Sequence, residues 1–200
     1  MKIGIMGGTF DPVHYGHLTA AKEVRTALSL DSVLFIPTGN PAHKKHYQVT
    51  DAIIRYEMLK EVIGDEEGFS LSDIEINRQG ETYAIDTLRA LHQTYPNNTE
   101  FFYIIGADVV AELDTWKSYK EDFALCKFAA VCRPGYSKAF FNASVEKMQS
   151  LGATIIPVDI SQTDISSREI RQKIAQGQDI SEWVPSGVQK IILEEGLYRV

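Results

Sequence analysis

The feature that most constrains this chain is an alternation. Short apolar runs bounded by Gly, Pro or Asp follow one another, with helical patterns between them. The runs are residues 2–6, 32–36, 69–76, 101–105, 127–132 and 154–158. Most are continuously apolar, as strands buried on both faces are. The helical stretches between them are residues 16–28, 51–63, 83–95, 109–113, 119–125 and 143–151. Two more, 167–176 and 188–195, follow the last run with no strand between them. In the second helical stretch Ile54, Met58, Leu59 and Val62 fall along one face. Strand–helix alternation of this kind predicts an α/β fold: an open parallel sheet with helices on both faces, followed here by a C-terminal helical segment. No internal repeat, low-complexity segment or linker divides the 200 residues. One domain is expected over 1–200, with a sheet core to about residue 160.

Composition narrows the function classes. A net charge of −7 argues against a nucleic-acid coat and makes any anion site a local basic pocket. The two cysteines, Cys126 and Cys132, flank an apolar stretch and read as reduced thiols. No apolar run reaches 18 residues, so no membrane span is expected. The start, MKIGIMGG, is too short for a signal peptide and reads as a strand. These features together predict a cytoplasmic enzyme or binding protein.

The stretch GGTFDPVHYGHL, residues 7–18, leaves the first strand at its carboxyl end, where open parallel sheets bind ligands. It is neither a G-x-G-x-x-G fingerprint nor a P-loop. Gly7 and Gly8 let the backbone approach a ligand, and Asp11-Pro12 sets a turn. Gly16 removes a side chain beside His14 and His17, whose three-residue offset puts both imidazoles on one side of the starting helix. The unpaired N–H groups of that helix start carry partial positive charge, so the assembly suits phosphate. Zinc would need a third ligand, which no spacing supplies. Core packing suits two histidines among Gly, Pro and Asp poorly. A nucleophilic histidine stays open, but leaves its neighbour unexplained.

A second basic cluster, DISSREIR at residues 164–171, opens a helix after the last strand. Ser166 and Glu169 make a capping box. Ser167, Arg168 and Arg171 fall on the first turns, where a bound anion would offset the unfavourable cation–dipole contact. In the loop IPTGNPAHKK, residues 36–45, His43 and Lys44 can reach a phosphate. Gly106 and Asp108 follow the fourth strand, and Trp116 reads as half-buried core slightly ahead of a platform for a flat ring.

GTFDPVHYGHL together with ISSREIR resembles the paired G-x-F-x-P-x-H-x-G-H and I-S-S-T-x-I-R signatures of the nucleotidylyltransferase superfamily. PTGNPAHKK, NRQGETYAIDTL, FFYIIGADVVAELDTWKSY, CRPGY and WVPSGVQKIILEEGLY extend the resemblance over essentially the whole chain to the bacterial nicotinate-nucleotide adenylyltransferases. The resemblance implies a Rossmann-like domain that joins nicotinate mononucleotide to the AMP part of ATP. It implies Mg²⁺ with the ATP, and no metal ligand from protein side chains. It implies catalytic roles for His14, His17, Lys44 and Arg171. It implies ATP contacts from Gly8, Thr9, Phe10, Gly16, His17, Gly106, Asp108, Arg133, Ser166, Ser167 and Arg171. Gly7, Gly8, Thr9, Lys44, Thr82, Ala84, Thr87 and Trp116 would meet the mononucleotide, with Trp116 stacked on the pyridine ring. Arg168 stands where the family usually has Thr, Thr82 where Ser is usual and Ala84 where Thr is usual. The alternatives are a phosphopantetheine adenylyltransferase, another nucleotidylyltransferase such as a cytidylyltransferase, or a nucleotide sensor without turnover. The partners expected are ATP and the mononucleotide, with no nucleic acid and no membrane; a homodimer stays open.

Overall fold

The computed structural model describes residues 1–40, 49–64, 66–132, 137–161 and 165–199. Chain order is β1 (Lys2–Gly8), α1 (Tyr15–Ala27), β2 (Ser32–Pro37), α2 (Ala52–Ile63), β3 (Phe69–Leu71), α3 (Ala84–Thr94) and β4 (Glu100–Gly106). Then come α4 (Ala107–Val110), a 3₁₀ turn (Leu113–Thr115), α5 (Tyr119–Leu125), β5 (Lys127–Cys132), α6 (Lys138–Ser150), β6 (Ile155–Asp159), α7 (Ser167–Ala175) and α8 (Ser186–Glu194). Among the described residues the strands form one six-stranded sheet in the order β3-β2-β1-β4-β5-β6, every neighbouring pair parallel.

The period of two along each strand sorts the core into two halves. Met6, Val33, Phe35, Phe102, Ile104, Ala129 and Val131 face α1, α2 and the C-terminal helices, whose Val24, Met58, Ile170, Val188 and Ile192 close that side. Ile5, Leu34, Ile36, Tyr103, Ile105 and Phe128 face α3 to α6, meeting Leu88, Leu91, Leu113, Phe123, Phe141 and Met148. With both faces covered, residues 3–6 of β1 and 101–105 of β4 are buried without a break, hence the uninterrupted apolar runs. Strand order reverses between β1 and β4, and a crevice opens beyond their carboxyl ends.

Several boundaries differ from the sequence expectation. β3 stops at Leu71 instead of running to residue 76. The Ser72 hydroxyl accepts the N–H of Ile74, and the Asn77 N–H bonds back to the Asp73 carbonyl, so local turn chemistry outcompetes the alternating pattern. α6 starts at Lys138, well before residue 143, because Ser137 caps it by accepting the N–H of Phe140. The short helix expected at 109–113 splits into α4 and the 3₁₀ turn. On α2 the fully buried residues are Arg55, Met58, Leu59 and Ile63, while Ile54 and Val62 pack half-buried at the margin of the same core, so the inward face also admits an arginine.

Candidate active site

β1 delivers Gly7 and Gly8 to the crevice. A Cβ on Gly7 would lie 2.6 Å from the Tyr103 hydroxyl, so the tyrosine on β4 fits there only against a glycine. Phe10 adopts a left-handed backbone at φ 50°, a conformation costing roughly 1 kcal/mol for a non-glycine residue. Burial of its ring, 2% exposed, offsets that cost. The turn aims the chain into α1. His14 is the N-cap of α1 in extended conformation, and its carbonyl accepts the His17 N–H at 3.0 Å. The two imidazoles stack with centroids 3.8 Å apart and planes 30° from parallel. The Phe10 ring sets its edge against His17 at 5.0 Å. His14 is buried, at 3% exposure.

Arg55 holds this loop from below. It is 1% exposed. Its Nη1 donates to the Thr9 carbonyl at 2.7 Å, Nη2 to the Thr38 carbonyl at 2.7 Å, and Nε to the Thr50 carbonyl at 2.8 Å. One guanidinium therefore ties the loop after β1 to the loop after β2. Its planar fork of donors suits a set of fixed carbonyls.

The C-terminal segment closes the other side. The Ser167 hydroxyl, on the first residue of α7, donates to the Pro12 carbonyl at 2.9 Å, and Arg171 Nη1 donates to the Asp11 carbonyl at 2.7 Å. The N-terminus of α7 thus abuts the loop that leads into the N-terminus of α1. Ser166 caps α7, accepting the Glu169 N–H and donating to the Glu169 carboxylate, which is the expected capping box. The Tyr198 hydroxyl donates to the Asp11 carboxylate at 2.6 Å, and burial beside that carboxylate raises the phenol's pKa well above the usual range.

A cavity of about 690 Å³ occupies the crevice. Of the sequence-predicted residues, Gly7, Gly8, Thr9, Gly16, His17, Thr82, Ala84, Gly106, Asp108 and Trp116 line it. A Cβ on Gly106 would come within 2.3 Å of the Asp108 carboxylate, so that glycine lets Asp108 fold back at the start of α4. Trp116 packs edge-on against Tyr103 at 5.7 Å and against Phe128 at 6.3 Å. The Thr82 hydroxyl accepts the Asn40 N–H, joining the segment before α3 to the end of the β2 loop. Phe10, His14, Ser166, Ser167 and Arg171 are not among the residues that line it; Ser167 and Arg171 brace the loop and Ser166 caps the helix that carries them. Arg168 is exposed. Lys44, with His43, and Arg133 lie outside the described residues.

Thr87 does not line the cavity. Its hydroxyl donates to the Glu75 carboxylate at 2.7 Å and accepts from Arg78 at 3.0 Å. Glu75 itself lines the cavity, as does Asp122 of α5. Burial pushes both carboxyls up to about 7. Sequence reading passed over Arg55, Glu75 and Asp122. Arg55 carried a usable signal, since it stands three and four residues before Met58 and Leu59 on the helix. Glu75 and Asp122 carried none: Glu75 sits in a run that reads as the end of a strand, and Asp122 in one that reads as a solvated helix start. Among the described residues no three His, Cys, Asp or Glu side chains are placed to hold a metal ion.

The family model for cytidylyltransferase-like proteins matches residues 5–173. A Desulfitobacterium hafniense protein named "Probable nicotinate-nucleotide adenylyltransferase" is 41% identical over 203 residues, covering 100% of this chain and 96% of the relative. A Corynebacterium kroppenstedtii protein of the same name is 45% identical over 199 residues, covering 98% and 90%. Among solved structures, Plasmodium falciparum nicotinic acid mononucleotide adenylyltransferase complexed with NaAD superposes with a TM-score of 0.80 at 18% identity, covering 98% of this chain and 97% of that one. At that identity the likeness shows the fold.

Proposed function

Since this chain belongs to the cytidylyltransferase-like family and, within it, to the nicotinate-nucleotide adenylyltransferases, we propose that it transfers the adenylyl group of ATP to nicotinate mononucleotide. The products are nicotinate adenine dinucleotide and pyrophosphate, a step of NAD biosynthesis. The observation that carries the reading is the abutment of two helix N-termini on one loop. α1 begins at the stacked His14–His17 pair, and α7 is bonded to Asp11 and Pro12 of the same loop. Two helix starts and two imidazoles beside one crevice suit a polyphosphate.

The chemistry asks little covalent help from the protein. The nucleophile is a phosphate monoester oxygen of the mononucleotide. Its second pKa is about 6, so near neutral pH it is mostly dianionic and needs no general base. It attacks the α-phosphorus of ATP. The bond from that phosphorus to the bridging oxygen breaks, and pyrophosphate leaves with the electron pair. The protein must bring two polyanions together in line and stabilise charge that grows around the α-phosphorus. In this reading His14, His17, Lys44 and Arg171 supply fixed positive charge and hydrogen-bond donors. Gly8, Thr9, Phe10 and Gly16 offer backbone to the phosphates, with Ser166 and Ser167 at the start of α7 and Arg133 beyond β5. Gly106 and Asp108 border the ATP ribose and base. Mg²⁺ arrives as part of the MgATP substrate, held by phosphate oxygens and water, as suits an ion that dehydrates reluctantly.

At the other end of the cavity Trp116 supplies a face for the pyridine ring. Gly7 and the segment with Thr82 and Ala84 lie along the mononucleotide, and Thr87 acts behind Glu75. α3 starts at Ala84, and its N-cap Tyr83 makes no side-chain cap, which leaves backbone N–H groups of the first turn to read a carboxylate where Ala84 offers no hydroxyl. The reading takes residues 1–200 as one domain, because Ile170, Val188 and Ile192 complete the core under α1 and α2. Action in the cytoplasm fits two free cysteines and described helices none of which is long and apolar enough to cross a membrane.

The test is a panel of ATP or CTP against nicotinate mononucleotide, nicotinamide mononucleotide and phosphopantetheine, scored by pyrophosphate release. Release with ATP and nicotinate mononucleotide is expected. Release only with CTP, only with phosphopantetheine, or with no pair would overturn the proposal.

A further inference from the structure

Asp122 is 1% exposed, lines the cavity, and neither of its carboxyl oxygens has a hydrogen-bond partner among the described residues. A buried carboxyl left that way is costly unless something completes it. Glu75, 4% exposed, lines the same cavity from the segment after β3, with one bond from Thr87. Tyr103 lines the cavity with both acids, and its phenol pKa is raised by burial first and then by the charges of Glu75 and Asp122. The Trp116 indole lines this cavity and stands edge-on to Tyr103. An indole face with two buried carboxyls is a surface for a flat cation.

The geometry points to a carboxylate seat, formed by Glu75 and Asp122, for the fixed positive charge that a pyridine ring carries once its nitrogen bears the ribose. The inference rests on the cavity's being the pyridine mononucleotide site and adds the property by which the ring is recognised: its charge. The seat favours a pyridinium over a ring of the same shape without charge, and it sets any ring carboxylate pointing away from the two acids. It also accounts for the burial of Asp122, whose missing partner is then the substrate.

Loading the seat moves protons. In the empty cavity burial holds both carboxyls at about 7, so each is close to half protonated near neutral pH. A cation beside them favours the ionised forms and expels those protons. The groups acting on Asp122 are Glu121 of its own helix and Arg89 and Asp86 of α3; Asp122 in turn acts on Tyr103 of β4 and on Cys126. Those facing Glu75 are Thr87, Arg78 and Tyr103.

The experiment is calorimetric titration of the full chain with nicotinate mononucleotide near neutral pH, in two buffers of different ionisation enthalpy. Wild type is expected to release up to about half a proton more than Asp122→Asn, and likewise more than Glu75→Gln. Both substitutions keep the shape of the side chain and remove its charge. Asp122→Leu, which places no polar atom there, replaces Asp122→Asn if the buried amide unfolds the chain. A second arm compares oxidised and reduced nicotinamide mononucleotide as competitors. Wild type is expected to favour the charged ring by about tenfold or more, and the variants to narrow that gap. Equal proton counts in wild type and variants, or an unchanged gap, with nicotinate mononucleotide still turned over, overturn the seat alone. If wild type neither binds nor turns over nicotinate mononucleotide, seat and function fall together.

Discussion

The His17 imidazole on α1 and the carboxyls on α5 and after β3 reach the same cavity from opposite faces of the sheet. They predict opposite things. His17 would bear on charge that grows as the α-phosphorus is attacked, so His17→Ala should lower kcat by roughly 10²–10³ with a smaller change in KM, the scale of one lost transition-state donor. Unchanged turnover in steady-state assays would take His17 out of the chemistry. Asp122 bears on stability without ligand. Its pKa is raised from 3.8 to about 7 in the folded protein. Between those values the folded state keeps a proton that the unfolded state has lost, so its contribution falls as pH rises and levels off above about 7. Asp122→Asn should therefore gain on wild type between about pH 5 and about pH 7.5, by an amount on the order of 2 kcal/mol. Melting temperatures at both pH values check it, and a constant difference would refute it. The histidine loop was legible in the sequence as a ligand loop at the carboxyl end of a strand, although its two rings also pack on each other and on Phe10. The acids were not, because Asp122 lies in YKEDFAL, which looks like any charged helix start until the helix is docked.

At the scale of elements, the sheet was legible and its margins were not. Strand β5 has the expected limits, since nothing local competes with FAAV for the interior. Strand β3 is shorter than its pattern because Ser72 and Asp73 offer the backbone other partners, and the coil they start carries Glu75 into the cavity. Helix α2 shows the same limit: its apolar residues give the helix, but three-dimensional context decides that Arg55 faces inward. That arginine ties the exits of β1 and β2 through the carbonyls of Thr9, Thr38 and Gly39, and the start of its own helix through that of Thr50. Arg55→Met keeps the stem and removes the donors, leaving buried carbonyls unsatisfied. We expect a loss of about 3 kcal/mol or more in chemical denaturation, with a raised KM for both substrates. A stability loss below 1 kcal/mol, or unchanged KM values, would show that the two exits hold their places unaided.

At the scale of the molecule, the two ends of the sequence meet at one residue. Asp11, in the first loop, is 1% exposed and accepts a bond from Tyr198. Tyr198→Phe removes that donor from a buried carboxylate and should cost roughly 1–3 kcal/mol. Because α7 is braced on the same loop, kcat should fall as well. Full activity with a lowered melting temperature would confine Tyr198 to a structural role. The C-terminal helices were visible in the sequence as helices. Their docking on the histidine loop was not, because no spacing announces a contact across 187 residues.

That closure has a thermodynamic corollary. The loop that leads into α1 is braced from the far end of the chain, so even a modest excursion that lifts residues 165–199 away frees it while the strands stay paired. Bound nucleotide then behaves as a clasp, and its affinity is spent in part on keeping the tail home. Such a tail should resist proteases and exchange its amide hydrogens slowly when MgATP is present, and fray first when it is not.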